Sequence, residues 1–319
     1  MINSSPIAFL FPGQGSQAVG MGKELADHHP VARRTFEEAD EALGYKLSQL
    51  CFDGPEEKLR LTEITQPAIL TASIAAFRVL EEKGPAPDYV AGHSLGEYSA
   101  HVAAGTLQFA DAVRTVRNRG KYMQEAVPVG VGAMAAILGM PVDKVAEICR
   151  DAANGEVCQA ANINSPEQIV ISGHAGAVER AIQLAHERGA KRAVSLPVSA
   201  PFHCALMQPA QDRLASDLQE INFQRPARPV VCNVDADSVT EAAPARAALV
   251  RQVTGSVKWD PSVRLLMEKG VGTFVEVGPG KVLWGLMRQI DRSKTCLTVG
   301  DEASLQKTLT QFSASAANN

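Results

Sequence analysis

Short apolar runs alternate along the chain with longer stretches in which apolar residues recur at helical spacing, and this rhythm sets the fold expectation. Ile7–Phe11 reads as the first strand, with helices at Arg33–Leu43 and Pro67–Glu82. Tyr89–Gly92 is a short strand running straight into a helix at Leu95–Ala104, and Ala110–Glu125 is a further helix. Beyond the glycine-rich "VPVGVG" at 127–132 the order becomes β (Ala133–Leu138), α (Val142–Ala153), β (Val157–Ala161), β (Gln168–Ser172), α (Ala175–Arg188) and β (Lys191–Leu196). That β-α-β-β-α-β succession is the ferredoxin-like arrangement. "PVVCNV" (229–234) and "TFVEVG" (273–278) read as the last strands, and the small polar tail "SASAANN" as frayed. The expectation is an α/β fold: a large domain with a mainly parallel sheet over 1–128 and 198–319, interrupted by a ferredoxin-like small domain over 129–197.

Composition narrows the function classes. The 319 residues are 45% hydrophobic and 21% charged, as in a soluble globular protein. A net charge of -4 argues against nucleic acid or an anionic membrane as a general partner, while leaving room for a local basic patch. No apolar run approaches the roughly 20 residues of a membrane-spanning helix. No Lys or Arg precedes Lys23, so no secretory signal is read. Cys51, Cys149, Cys158, Cys204, Cys232 and Cys296 form no C-x-x-C pair, which suggests neither a zinc site nor a redox motif and fits a cytoplasmic location. No interface signal stands out, so a monomer is expected.

Two glycine-rich turns compete for attention. In "FPGQGSQAVGMG" (11–22), Gly13, Gly15 and Ala18 fit the dinucleotide fingerprint G-x-G-x-x-G/A. The context fails, because the acids that follow, Glu37, Glu38 and Asp40, sit in a helical pattern with no strand before them. A phosphate-binding P-loop fails too, for want of Gly-Lys-Ser/Thr. The second turn, Gly92-His93-Ser94-Leu95-Gly96, is a G-x-S-x-G elbow between a strand and a helix. There the Ser94 hydroxyl projects above the sheet as a nucleophile, and the N–H of Leu95 at the helix start faces a developing oxyanion. A serine needs a base, and His203 in "LPVSAPFHCALM" is the best placed of seven histidines. His28 and His29 lie in a polar stretch read as surface, His93 adjoins Ser94 and points elsewhere, and His101 lies too far along its own helix. No carboxylate completes a triad: Asp111, Asp143 and Asp151 all fall in helical positions, which leaves a backbone carbonyl to orient the imidazole.

Six ordered motifs carry a family resemblance over nearly the whole chain: "FPGQGSQ" (11–17), "GHSLGE" (92–97), "RGKYMQ" (119–124), "NSPEQIVISG" (164–173), "PFH" (201–203) and "VGPGKVL" (277–283). The chain resembles the malonyl-CoA:acyl-carrier-protein transacylases of bacterial type II fatty acid synthesis and the acyltransferase domains of polyketide synthases. The resemblance implies a hydrolase-like large domain with a ferredoxin-like insert. It implies ping-pong transfer of malonyl from malonyl-CoA to the phosphopantetheine thiol of acyl carrier protein, without metal or redox cofactor. By it, Ser94 is the nucleophile, His203 the base and acid, and Gln14 and Leu95 the oxyanion N–H donors. Arg119 binds the malonyl carboxylate, and the Gln252 backbone carbonyl orients the histidine. Taken alone, Arg119 reads as a solvated helix arginine beside Arg114, Arg117 and Lys121; only the motif reverses that. Phe202 is similar to the pattern of malonyl-selective domains, where a bulky ring disfavours a branched acyl group. "VGPGKVL" reads as a turn into a helix rather than a CoA-phosphate loop. Lys191, Arg192 and Lys281 are candidate contacts for an acidic carrier. A discrete polyketide acyltransferase and a thioester hydrolase are the alternatives.

Overall fold

The computed structural model describes residues 5–198 and 200–317. Outside the described residues lie the start of the segment read as lacking a secretory signal, Ser199 of the loop before His203, and 318–319 of the tail.

A six-stranded sheet is built from β1 (Ile7–Phe11), β2 (Tyr89–Gly92), β7 (Val230–Cys232), β8 (Asp237–Val239), β9 (Thr273–Val277) and β10 (Thr295–Val299). Its order is β10-β9-β1-β2-β7-β8, parallel throughout except for the β7–β8 pair. The central strands are apolar on both faces because both are covered. Phe9 and Phe11 of β1 enter one core, with the helices Thr62–Lys83 and Phe109–Glu125. Ala8 and Leu10 enter another, with Trp259, Val263 and Leu286.

The second sheet, β3 (Gly132–Leu138), β4 (Cys158–Ser165), β5 (Gln168–His174) and β6 (Arg192–Ser195), is antiparallel with order β4-β5-β3-β6. One face packs Ala135 and Ile137 against the helices Val142–Ala153 and Ala175–Glu187. The other carries Met134, Ala161 and Val170, and Phe202 packs on it and on the main core as well. The edge strand β4 is tied back to the large sheet's surroundings: Val257 donates its N–H to Ala161 (2.8 Å) and accepts from Ile163 (2.9 Å).

The mainly parallel sheet and the separate antiparallel sheet agree with the sequence expectation. Some elements differ. The last strand is β10, not the 273–278 run, and β8 adds a short antiparallel edge. Both are short and largely half-exposed, so their apolar signal is weak. The helix expected from Pro67 begins at Thr62 and encloses that proline. A missing N–H makes proline read as a first-turn residue, but here nearly complete burial of Thr65 to Leu70 holds the earlier turn. The tail read as frayed continues the helix Glu302–Ala317. His29, expected at the surface, is 9% exposed and pairs with Glu302 at 2.7 Å.

The "VGPGKVL" segment is a turn into the helix Val282–Ile290. Glu276, fully buried on β9, accepts hydrogen bonds from the amides of Leu283 (3.0 Å) and Trp284 (2.7 Å). The first-turn donors an anion would use therefore already have a carboxylate. Glu276→Ala should cost about 3 kcal/mol, since one buried and one part-buried N–H lose their acceptor. Urea unfolding checks this; a midpoint unchanged from the parent protein would refute it.

Candidate active site

The G-x-S-x-G turn forms because two residues in it lack side chains. A Cβ on Gly92 would lie 1.9 Å from the Gly96 backbone, and one on Gly96 would lie 2.0 Å from the Phe11 carbonyl oxygen. Close packing of β2, the turn and the helix Gly96–Ala103 leaves Ser94 at φ 51°, left-handed for a non-glycine residue. The strain is held by three contacts. The Ser94 N–H donates to Asn233 Oδ1 (2.6 Å), Gln252 Nε2 donates to the Ser94 carbonyl (3.0 Å), and Asn233 Nδ2 donates to the Gly92 carbonyl (2.7 Å).

His203 sits in the loop after β6, also at positive φ (59°) and 4% exposed. Its Nε2 is 2.7 Å from Ser94 Oγ and its Nδ1 2.9 Å from the Gln252 backbone carbonyl. A carbonyl only accepts, so Nδ1 carries the proton and Nε2 presents its lone pair to the Ser94 hydroxyl. Burial, reinforced by the Arg119 charge and opposed by the Gln252 carbonyl, pushes the imidazole down to about 3. The ring is therefore neutral throughout the neutral range, with the Nε2 lone pair available to the Ser94 proton.

Arg119 is not a solvated helix residue. It is 2% exposed on the inner face of Phe109–Glu125. Nη1 donates to Gln66 Oε1 (2.8 Å), and Nη2 to Gln252 Oε1 (2.9 Å) and Ser94 Oγ (3.2 Å). Its guanidinium lies 5.6 Å from the Tyr98 ring centroid. Nε has no partner among the described residues. Every oxygen that Arg119 contacts is uncharged, which leaves the cation open to a carboxylate.

The loop 12–15 leans on the same turn. A Cβ on Gly13 would lie 2.4 Å from the His93 carbonyl oxygen, and the exposed Gln14 follows directly. Among the described residues the amides of Gln14 and Leu95 donate to no protein acceptor, whereas those of Gly96 and Glu97 turn back to His93 (2.9 Å) and Ser94 (3.1 Å). Phe202, partly buried, fills the seam between the two cores beside His203.

The structure thus brings Ser94, His203, Arg119 and Gln252 into one hydrogen-bonded cluster. The other histidines stay apart from Ser94. His93 turns to Asn164 Oδ1 (2.8 Å) and His101 is buried with no hydrogen-bond partner among the described residues. Asp111 and Asp151 pair with Arg114 and Arg188. Arg192 and Lys281 are exposed, while Lys191 is held by Glu167 at 2.8 Å. Sequence reasoning missed Asn233, Gln66 and Glu97. Asn233 had a usable signal, a polar residue directly after a buried parallel strand, where open α/β sheets place their ligands. Gln66 had none, being a helical glutamine whose partner lies 53 positions away.

The profile of the acyl transferase domain family matches residues 8–317. A malonyl CoA-acyl carrier protein transacylase of Salmonella typhimurium is 52% identical over 305 residues, spanning 95% of this chain and 99% of that protein. The solved acyl carrier protein S-malonyltransferase of Vibrio cholerae superposes with a TM-score of 0.94 at 49% identity, covering 95% of this chain and 100% of that one. A malonyl-transacylase solved in complex with its type II polyketide acyl carrier protein also gives 0.94 at 49% identity, over 96% and 100% of the two chains.

Proposed function

The chain belongs to the acyl transferase domain family, and from that premise we propose that it transfers malonyl from malonyl-CoA to the phosphopantetheine thiol of acyl carrier protein. One observation carries the substrate assignment: a buried guanidinium, hydrogen-bonded to no carboxylate among the described residues, stands 3.2 Å from the nucleophile. Two parallel N–H···O bonds to the free malonyl carboxylate would seat the thioester carbonyl at Ser94.

The steps follow from the cluster. Ser94 Oγ attacks the thioester carbon while its proton passes to His203 Nε2. The N–H groups of Leu95 and Gln14, with the positive end of the helix Gly96–Ala103, hold the oxyanion. Collapse breaks the C–S bond, and His203 returns the proton to the CoA sulfur. The carrier thiol then gives His203 its proton, attacks the malonyl ester, and releases Ser94, which regains a hydrogen. Gln252 keeps the imidazole in one tautomer throughout, and Phe202 overpacks a branched acyl group. Ser94 and His203 supply nucleophile, base and acid, so these steps call for no cofactor. We place the reaction in the cytoplasm, where the six free thiols are stable.

Intact-mass measurement tests the reading. Mixing with malonyl-CoA should add one malonyl group, mapped to the Ser94 peptide, which moves to added holo carrier protein. No adduct, or one elsewhere, refutes the transfer; release as free malonate in preference to the carrier marks a hydrolase. The polyketide complex among the relatives makes a polyketide carrier the second acceptor to include.

A further inference from the structure

Glu97 is fully buried one turn after the nucleophile, yet its carboxylate hydrogen-bonds to neither Ser94 nor His203. Its Oε2 accepts from Gln252 Nε2 (2.7 Å) and from the Asn233 N–H (2.9 Å). Those two residues in turn hold the Ser94 carbonyl and the Ser94 N–H. One carboxylate oxygen therefore anchors both clamps on the strained turn.

The side-chain amide of Gln252 lies between Glu97 and Arg119, and its direction matters. As found, Nε2 faces the carboxylate and Oε1 faces the guanidinium Nη2 (2.9 Å). Turned over, it would set oxygen against oxygen at Glu97 and N–H against N–H at Arg119. The backbone carbonyl of this same residue holds His203 Nδ1 (2.9 Å). A direct Glu–Arg ion pair would occupy the guanidinium and compete with an incoming carboxylate. An amide spacer balances the buried cation while leaving its outer edge free.

We propose that Glu97 is a positioning residue for acyl transfer, a buried counter-charge that acts through the Gln252 amide to orient His203 and keep Arg119 open for the acyl carboxylate. The proposal rests on the acyl-transfer reading above. The groups facing Glu97 are few. Arg119 comes from Phe109–Glu125, Cys232 from β7, and Arg251 from Ala242–Gln252, with Tyr98 and His101 on its own helix. The His101 Nε2 is 4.0 Å from Glu97 Oε1, and burial keeps that imidazole neutral. Burial pushes Glu97 up to about 7, against the pull of Asn233, Gln252 and Arg119. The counter-charge therefore develops as pH rises through neutrality. A bound acyl carboxylate, by neutralising Arg119, moves that ionisation higher.

Glu97→Gln keeps an acceptor oxygen and removes the charge, so it mimics the protonated acid. Malonyl loading of Ser94 by this variant should be about tenfold slower than wild type at pH 8 and converge with it near pH 6, as the Coulomb contribution to orientation fades. Glu97→Asp should retain the pH step. A Glu97→Gln profile parallel to wild type, at any level, would reduce Glu97 to a structural role and overturn the proposal. Wild-type protein alone gives a second test, independent of whether a variant folds. Carbon-labelled glutamate NMR should show one buried carboxyl titrating near neutrality, whose midpoint rises when Ser94 carries malonyl. An unmoved midpoint also overturns it. Failure of wild type to load malonyl would instead sink the acyl-transfer reading itself.

Discussion

Ser94→Ala should take up no malonyl group at all, and His203→Ala should load Ser94 about a thousandfold more slowly than the parent protein. The first outcome follows because Ser94 carries the one hydroxyl in the cluster it forms with His203, Arg119 and Gln252. The second is in the range for loss of a positioned general base, here an imidazole 2.7 Å from the hydroxyl in a fixed tautomer. Rapid-quench measurement of the acyl-enzyme separates this step from transfer to carrier. The pH dependence carries the same message. With its ordinary value of 6.5 pushed down to about 3 by burial and Arg119, His203 gains its blocking proton only in strong acid. Complete collapse of loading should therefore come far below pH 6.5, wherever the protein still folds. A His203→Ala rate within tenfold of wild type, or full collapse near pH 6.5, would refute the assigned base.

Arg119→Ala should invert the acyl preference. Malonyl loading should fall by about a thousandfold, consistent with losing one partner of a buried, hydrogen-bonded charge pair. Acetyl loading should rise relative to malonyl, because the neutral group no longer leaves a buried cation unpaired. Arg119→Lys should recover little, since an ammonium cannot present two parallel donors to a carboxylate. Competition between malonyl-CoA and acetyl-CoA, read by the mass of the acyl-enzyme, gives the ratio directly. An unchanged ratio in Arg119→Ala would remove Arg119 from the recognition of the acyl group.

The parts of this site that could be read from sequence are those whose geometry is local. Gly92, Ser94 and Gly96 lie within five positions, and their spacing alone encodes a turn too tight for side chains. His203 could be singled out because the other histidines had reasons to be elsewhere. Arg119 could not, since its helix offers several basic residues and only long-range packing buries one of them. The contacts that hold it come from Gln66 and Gln252, 53 and 133 positions away. Glu97 stood in plain view inside "GHSLGE", but its role depends on an amide 155 residues downstream. The fold followed the same logic. Fully buried strands announced themselves, whereas the half-exposed edge strands β8 and β10 did not.

The seam between the sheets sets the terms on which this protein could be recombined with its relatives. Phe202 packs on both cores, Ala205 donates its N–H to Gln159 Oε1 (2.8 Å), and Val257 is laced to Ala161 and Ile163. His203 lies inside the first two contacts, and Gln252 five residues before the third. A chimaera that exchanges only Gly132–Ser195 would change the side chains behind the first two contacts and leave the third to the donor strand's backbone, so base and orienting carbonyl would both rest on a mixed seam. The transplantable unit is larger than the four-stranded sheet: it includes the loop through Ala205 and the segment from Gln252 to Val257.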